Sequence, residues 1–202
     1  GTVTDLTIDS LTSESQASAQ EVEAYLKQYF GAVDAMVHSR AIVNMASDQT
    51  KQSVTTSTFF SDLMAELGAI QNKYHTNVLN VWYTDLGTKE MIIHNRSLFT
   101  SADIDFDARE WCIRCREEKK TIITSSYVDA ETNQTIVTIA GPVLVNNNVA
   151  GVIGFDVSLD MLNTSLEKIV IGETGYITLL DSANMILCHP DSTVVGTTVE
   201  EA

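Results

Sequence analysis

The chain has 202 residues, of which 44% are hydrophobic and 19% charged, so it can bury a substantial core and lacks the composition of a disordered segment. Its 12 basic and 27 acidic residues leave a net charge of −15, a field that repels phosphate backbones and anionic lipid surfaces and argues against nucleic acid as a partner. The same field favours solubility and biases the surface towards cationic ligands.

The first residues, Gly1-Thr2-Val3, show no charged-then-apolar signal pattern, and no apolar run reaches the ~18 residues of a membrane span. The membrane segments of a membrane-bound parent would therefore lie outside this sequence. Thr12 or Ser13, followed by Gln16, resembles a helix-capping box. From there Val22, Tyr25, Leu26, Tyr29, Phe30, Val33, Met36 and Val37 recur at steps of three and four, which predicts a helix. No proline interrupts it before Met45, so a single helix of more than eight turns, roughly 50 Å long at ~1.5 Å per residue, is expected. Such a length suits a spine or a pairing of two copies into a homodimer.

A second helix is expected from about Thr58 to Lys73, with Phe59, Phe60, Leu63, Met64, Leu67 and Ile70 on its apolar side. The period then changes. Val78 to Tyr83 and Lys89 to His94 read as a hairpin across Asp85-Leu86-Gly87. Asp105 or Asp107 is placed to cap a short helix carrying Arg109, Trp111, Ile113 and Cys115. Thr121 to Tyr127, Thr135 to Val145 and Val149 to Ser158 are β-branched and strand-like. The short links Asp129-Ala130-Glu131-Thr132-Asn133 and Asn146-Asn147-Asn148 make these three strands antiparallel. Leu159 to Ile169 reads as a helix. Gly172-Glu173-Thr174-Gly175 is a turn into a further hairpin, Tyr176 to Leu180 and Met185 to Cys188. Two strands alone are marginal, so this last unit reads as incomplete.

Three cysteines, Cys112, Cys115 and Cys188, make no disulfide framework. Cys112-x-x-Cys115 is followed by Arg116, where haem attachment needs histidine, and it lacks the second pair of a zinc site. The cysteines read as small buried side chains. His38, His75, His94 and His189 have no metal-ligand spacing, and no nucleophile elbow or phosphate-binding loop occurs. No cofactor, no metal and no catalytic role is expected.

Five residues stand out: Arg109, Trp111, Tyr127, Asp129 and Asp156. Tyr127 and Asp129 are two apart at a strand end and can share a face. Asp156 lies near the end of a neighbouring antiparallel strand, where it can converge with Asp129. Two carboxylates with an aromatic face suit an ammonium group, and a guanidinium offers a planar fork to a carboxylate. The set thus matches the two ends of an α-amino acid. Spacing alone equally fits surface charges beside a core tryptophan and a core tyrosine. Paired aspartates are also the residue type of a carboxylate-based hydrolase.

At these residues the sequence resembles the double Cache sensor family, the extracellular ligand-binding regions of prokaryotic chemoreceptors and sensor histidine kinases. Arg109-Glu110-Trp111 is similar to the family's R-x-W element and Tyr127-Val128-Asp129 to its Y-x-D element. Gly151 to Asp156 is similar to the strand that ends in the second aspartate. Gly175-Tyr176 to Asp181, with His189-Pro190-Asp191, is similar to the hairpin of the membrane-proximal module. The resemblance implies an α+β fold: a long N-terminal helix, a PAS-like antiparallel-sheet module, and the start of a second one. The segments would be 1–46 for the spine, 47–160 for the membrane-distal ligand module, and 161–202 for the linker helix and proximal module.

It further implies an extracytoplasmic sensor of a cell-membrane receptor, binding an amino acid or amine, with any enzyme such as a kinase lying elsewhere in the protein. In the amino-acid-binding subset, the positions of Tyr127, Asp129 and Asp156 hold the ligand's ammonium, and those of Arg109 and Trp111 its carboxylate. This chain departs from the subset where Ile104 and Cys112 replace tyrosines, both on the carboxylate side. Those two residues and Val128 form a candidate second line of the pocket. The depletion opens the site to an amine without a carboxylate. The competing reading is a ligand-free spacer or interaction module.

Overall fold

The structure, a computed structural model, describes residues 6–10, 15–166, 177–181 and 183–200. The expected capping box at Thr12 and Ser13, the turn Gly172 to Gly175 with Tyr176, and the helix beyond Leu166 lie outside the described residues. In chain order the elements are β1 (Leu6–Ser10), α1 (Ser15–Met36), α2 (Arg40–Ser47), α3 (Phe60–Tyr74), β2 (Asn80–Asp85), β3 (Glu90–Ile93) and β4 (Leu98–Thr100). There follow α4 (Glu110–Glu118), β5 (Ile122–Ile123), β6 (Tyr127–Val128), β7 (Thr135–Val145), β8 (Asn148–Ser158), α5 (Leu159–Leu166), β9 (Ile177–Asp181) and β10 (Ile186–Cys188).

The larger sheet has the order β4-β3-β2-β8-β7-β5, with β6 also on β7, and every pairing is antiparallel. This is the mixed helix and antiparallel-sheet class expected from the sequence. Its centre is the β7–β8 hairpin, closed by a two-residue turn. Asn146 and Asn147 both adopt positive φ there, 50° and 63°, as the turn that matches strand twist requires. Asp85 organises the β2–β3 turn, accepting hydrogen bonds from the amides of Gly87 and Thr88 and from the Tyr83 hydroxyl. The buried Lys51 ammonium lies 2.9 Å from the same carboxylate and ties the turn to the segment after α2.

Both faces of the sheet are covered. Odd-numbered residues of the central strands, such as Val81, Tyr83, Ile153, Phe155 and Val157, pack against α1, α2 and α3 through Leu26, Tyr29, Val33, Ile42, Met45, Leu63 and Leu67. Even-numbered residues, such as Trp82, Ala140 and Val152, join Ile104, Phe106, Trp111, Cys112 and Cys115 on the other side. Each fully buried aliphatic or aromatic side chain contributes about 1.5–3 kcal/mol, so the first face is the main source of stability.

The sequence suggested one uninterrupted N-terminal helix; the chain instead breaks between Met36 and Arg40. Ser39 is extended, with φ −68° and ψ 147°, and its hydroxyl accepts from the Ile42 amide, so it starts a new helix as an N-cap. The same hydroxyl donates to Glu66 of α3, which anchors the corner. The first segment is also more than a spine. Its strand β1 pairs with β9 from Leu6↔Asp181 to Ser10↔Ile177, giving the C-terminal hairpin a third strand. The expected strand from Thr121 to Tyr127 divides into β5 and β6, and β4 is an addition. The expected aspartate cap of α4 is absent. Arg109 holds the N-cap position without a side-chain bond, while Asp107 pairs with Lys89 and Arg116.

Gly154 decides how the second face packs. It lies opposite Trp82 of β2 and Ala140 of β7, and a Cβ there would come within 2.0 Å of the Trp82 indole. A side chain would therefore push the tryptophan off the sheet. Gly154→Ala is expected to cost about 1–3 kcal/mol in urea unfolding. An unchanged unfolding midpoint would contradict this packing.

Candidate functional site

The second face carries a narrow cleft lined by Trp82, Met91, Ile93, Phe99, Ile104, Arg109, Trp111, Tyr127, Asp129, Ala130, Glu131 and Asp156. All five residues singled out in the sequence are in this wall. Strand alternation brings Asp156 to it, two residues beyond Gly154 on the same face of β8. Arg109 and Trp111 share the wall because Arg109 precedes the helix in extended conformation, while Trp111 sits in the first turn of α4. Tyr127 begins the two-residue strand β6, and Asp129 opens the turn that leads into β7.

Asp156 is the floor of the cleft and is 3% exposed. Its carboxylate accepts from the Trp82 indole Nε1 at 2.9 and 3.0 Å and from the Thr138 hydroxyl at 2.7 Å. Thr138 is in turn 2.5 Å from the Tyr127 hydroxyl, so Tyr127, Thr138 and Asp156 form one chain of hydrogen bonds. Asn80 lies directly across from Asp156 in β2, and its side chain adds a weak contact that favours the charged carboxylate. Burial pushes the Asp156 carboxyl up to about 7, outweighing the Trp82 and Thr138 bonds that favour its charge; Asp129 adds repulsion. The Tyr127 hydroxyl is also raised well above its ordinary value, first by burial and then by the charge of Asp156.

Asp129 is held differently. One carboxylate oxygen accepts from the Thr132 amide at 2.8 Å and the Thr132 hydroxyl at 2.6 Å, which closes the turn around it. Above the floor the indoles of Trp82 and Trp111 lie 4.8 Å apart at 54°, and Phe106 supports Trp111 from behind. The wall thus sets the acids Asp129, Glu131 and Asp156 beside two buried indoles, with Arg109 also in the lining. About 30 Å³ of the cleft is open to the centres of water-sized molecules, room for one or two waters.

The second-line residues separate. Ile104 is in the wall. Cys112 is fully buried in the core behind it, and Val128 is 56% exposed, on the opposite side of β6 from Tyr127, so neither faces the cleft. Cys112 and Cys115 are buried thiols, and burial pushes Cys115 up to about 12, which makes it unreactive. Among the described residues no three His, Cys, Asp or Glu side chains are placed to hold a metal ion.

Sequence reasoning missed Trp82, Thr138 and Glu131. Trp82 alternates with Asn80 and Thr84 along β2, a polar-aromatic face that an all-apolar core strand would not show. Thr138 gave no signal beyond its strand propensity, and Glu131 read as an ordinary turn residue.

Comparison with known proteins places this architecture. A family model described as Cache domain matches residues 2–202. The chain belongs to the Cache domain family. This Cache domain is 37% identical over 101 residues to the methyl-accepting chemotaxis protein PscA of Pseudomonas syringae pv. tomato, covering 50% of the chain and 16% of PscA. It is 24% identical over 179 residues to the methyl-accepting chemotaxis protein McpC of Bacillus subtilis, covering 88% of the chain and 26% of McpC. The chain therefore spans only a fraction of these relatives. Its fold matches the ligand-binding domain of the Pseudomonas aeruginosa amino-acid chemoreceptor PctC in complex with GABA, with a TM-score of 0.70 at 22% identity, over 93% of this chain and 78% of that one. The ligand-binding domain of the Pseudomonas fluorescens chemoreceptor CtaA, in complex with L-serine, matches with a TM-score of 0.70 at 22% identity, over 92% and 73% of the two chains.

The raised carboxyl of Asp156 makes the stability of this Cache domain depend on pH. An unfolded aspartate has its ordinary value of 3.8, and folding raises it to about 7, so the folded form holds the proton more tightly. That stabilisation is complete below about pH 4 and is lost as pH rises through about 7. The interval corresponds to roughly 4 kcal/mol. The unfolding free energy of the domain is expected to fall between about pH 4 and about pH 7, and Asp156→Asn to flatten that part of the slope. Equal slopes in the two proteins would contradict it.

Proposed function

We propose that this Cache domain is the extracytoplasmic ligand-sensing part of a membrane-bound signal-transduction receptor, and that its cleft binds a small ammonium-bearing ligand, an amino acid or an amine. The observation that carries the reading is Asp156: a carboxylate at the floor of a cleft, fully buried, beside two indoles and a second carboxylate. A carboxylate in that position is costly without a cation, and an ammonium group supplies one. Asp129, Asp156 and Tyr127 take the ammonium through charge-assisted hydrogen bonds, and Trp82 and Trp111 offer it aromatic faces. Arg109 takes a carboxylate where the ligand has one. The domain binds and does not turn its ligand over.

The comparisons support the class. The relatives are named as chemotaxis receptors, and PctC and CtaA carry GABA and L-serine in their ligand-binding domains. The ligand module is the 47–160 segment. The cleft is narrow, and the 129–133 turn and the segment leading into α4 both contribute to its wall, so a bound ligand touches both. A ligand shifts a receptor between two forms only by its differential affinity for them. Ile104 in the wall replaces a hydroxyl that would have served a ligand carboxylate, which tilts the reading towards amines.

A thermal-shift screen with amino acids, polyamines and methylated amines identifies the ligand, and calorimetry then measures it. Asp156→Ala is expected to weaken binding about ten- to a hundredfold, the worth of a charge-assisted hydrogen bond. Arg109→Ala is expected to match that loss only for ligands with a carboxylate. Affinity unchanged in Asp156→Ala would refute the ammonium reading.

A further inference from the structure

Glu131 adds a third carboxylate to the cleft, and it is built in. It sits in the turn between β6 and β7, half-buried. Its Oε1 accepts from Asn95 Nδ2 at 2.8 Å and from the Ser97 hydroxyl at 2.7 Å, both in the turn between β3 and β4. Glu131 thereby clasps two turns from opposite parts of the sheet across the cleft. Its other oxygen, Oε2, is buried with no hydrogen-bond partner, in a residue that lines the cleft. A buried carboxylate oxygen left unpaired costs free energy, and the fold fixes it there with two donors on its twin.

His94, just after β3, feels the charge of Glu131, but burial lowers its pKa all the same. Among the described residues Arg109 is the one basic residue of the wall, against the acids Asp129, Glu131 and Asp156. The acids do not converge on a point as metal ligands do: among the described residues no such trio can hold an ion. Between them the wall is apolar, with Met91, Ile93, Phe99 and Ile104.

We propose that Glu131 is a specificity-determining residue that selects a ligand carrying a second cationic group, joined by an apolar chain to the ammonium held at Asp129 and Asp156. The inference rests on the ammonium-binding reading above and narrows it. The apolar chain lies along Met91, Ile93 and Ile104, and the far cation meets Glu131 Oε2. Two sources share this chemistry. An α,ω-diamine balances the excess of negative charge in the wall, and a dibasic amino acid uses Arg109 as well.

Calorimetry on the whole domain with four probes tests it: putrescine against its uncharged-tail isostere n-pentylamine, and L-lysine against L-norleucine. Glu131→Gln keeps the Oε1 acceptor for Asn95 and Ser97, so the clasp and the fold remain. In at least one pair the dication is expected to bind more than about tenfold tighter than its partner, and Glu131→Gln to weaken the dication about ten- to a hundredfold while changing the monocation by less than about threefold. The pair that shows this names the source. Equal affinities within both pairs, or an equal loss for both members in Glu131→Gln, would overturn the inference and leave Glu131 a structural clasp. In that case monocation binding that still depends on Asp156 keeps the ammonium reading standing. No binding by any of the four probes overturns both.

Discussion

The site depends on a buried carboxylate that, among the described residues, has no ion-pair partner. Asp156 sits near the C-terminal end of β8, flanked by β2 and β7, and each neighbour supplies a donor: the Trp82 indole and the Thr138 hydroxyl. Removing a carboxylate from water costs several kcal/mol even after relaxation, and two neutral donors do not offset that cost. The residue responds by shifting its titration to about 7. Gly154 is part of the same arrangement, because only the absence of a side chain lets Trp82 lie flat enough to reach the acid. The floor of the cleft is therefore a device of three adjacent strands.

That device is embedded in the part of the fold best placed to communicate. Phe155, the residue before Asp156, points to the opposite face and meets Tyr74, which touches Tyr29 and through it Tyr25 of α1. An unbroken line of ring contacts therefore joins the residue next to Asp156 to the N-terminal helix. On the other side, the amide of Ser126, next to Tyr127, donates to Asp181 at the end of β9. The same carboxylate also organises the β9–β10 turn through Ala183 and Met185. The small sheet made by β1, β9 and β10 is accordingly hydrogen-bonded to the segment that carries the aromatic side of the cleft. These are physical contacts; the coupling they carry is a matter for mutant cycles.

Much of this was legible in the sequence because it follows from period and turn chemistry. The three asparagines at 146–148, the alternation along β7 and β8, and the helical stripe of α3 each reflect a local rule, and the structure obeys them. Asp129, Asp156, Tyr127, Arg109 and Trp111 stand out in the sequence as charged and aromatic residues at strand and helix ends, but spacing alone does not gather them; the resemblance to the family's R-x-W and Y-x-D elements does, and all five line the cleft. What was not legible depends on contacts between distant segments. The break at Ser39 follows from a bond to Glu66 as well as from local capping, and uninterrupted periodicity concealed it. The pairing of β1 with β9 joins residues about as far apart as the chain allows. Trp82 enters the site only because Gly154 lies opposite. Glu131 faces the cleft only because Asn95 and Ser97 come from another turn to hold it. Val128 and Cys112 show the converse: proximity in sequence to site residues placed them near the cleft, but strand alternation and helix phase turned them away.

The central claim is that a cation from outside the chain completes the Asp156 site. Its most direct test is proton release on binding, measured by calorimetry near pH 7 in buffers of different ionisation enthalpy. A carboxyl titrating at about 7 is about half protonated there, and an ammonium ligand drives it to the ionised form. The expected result is release of about half a proton per ligand bound, lost in Asp156→Asn wherever binding remains measurable. Binding of an ammonium ligand with no proton release, or with the same release in Asp156→Asn, would contradict the account.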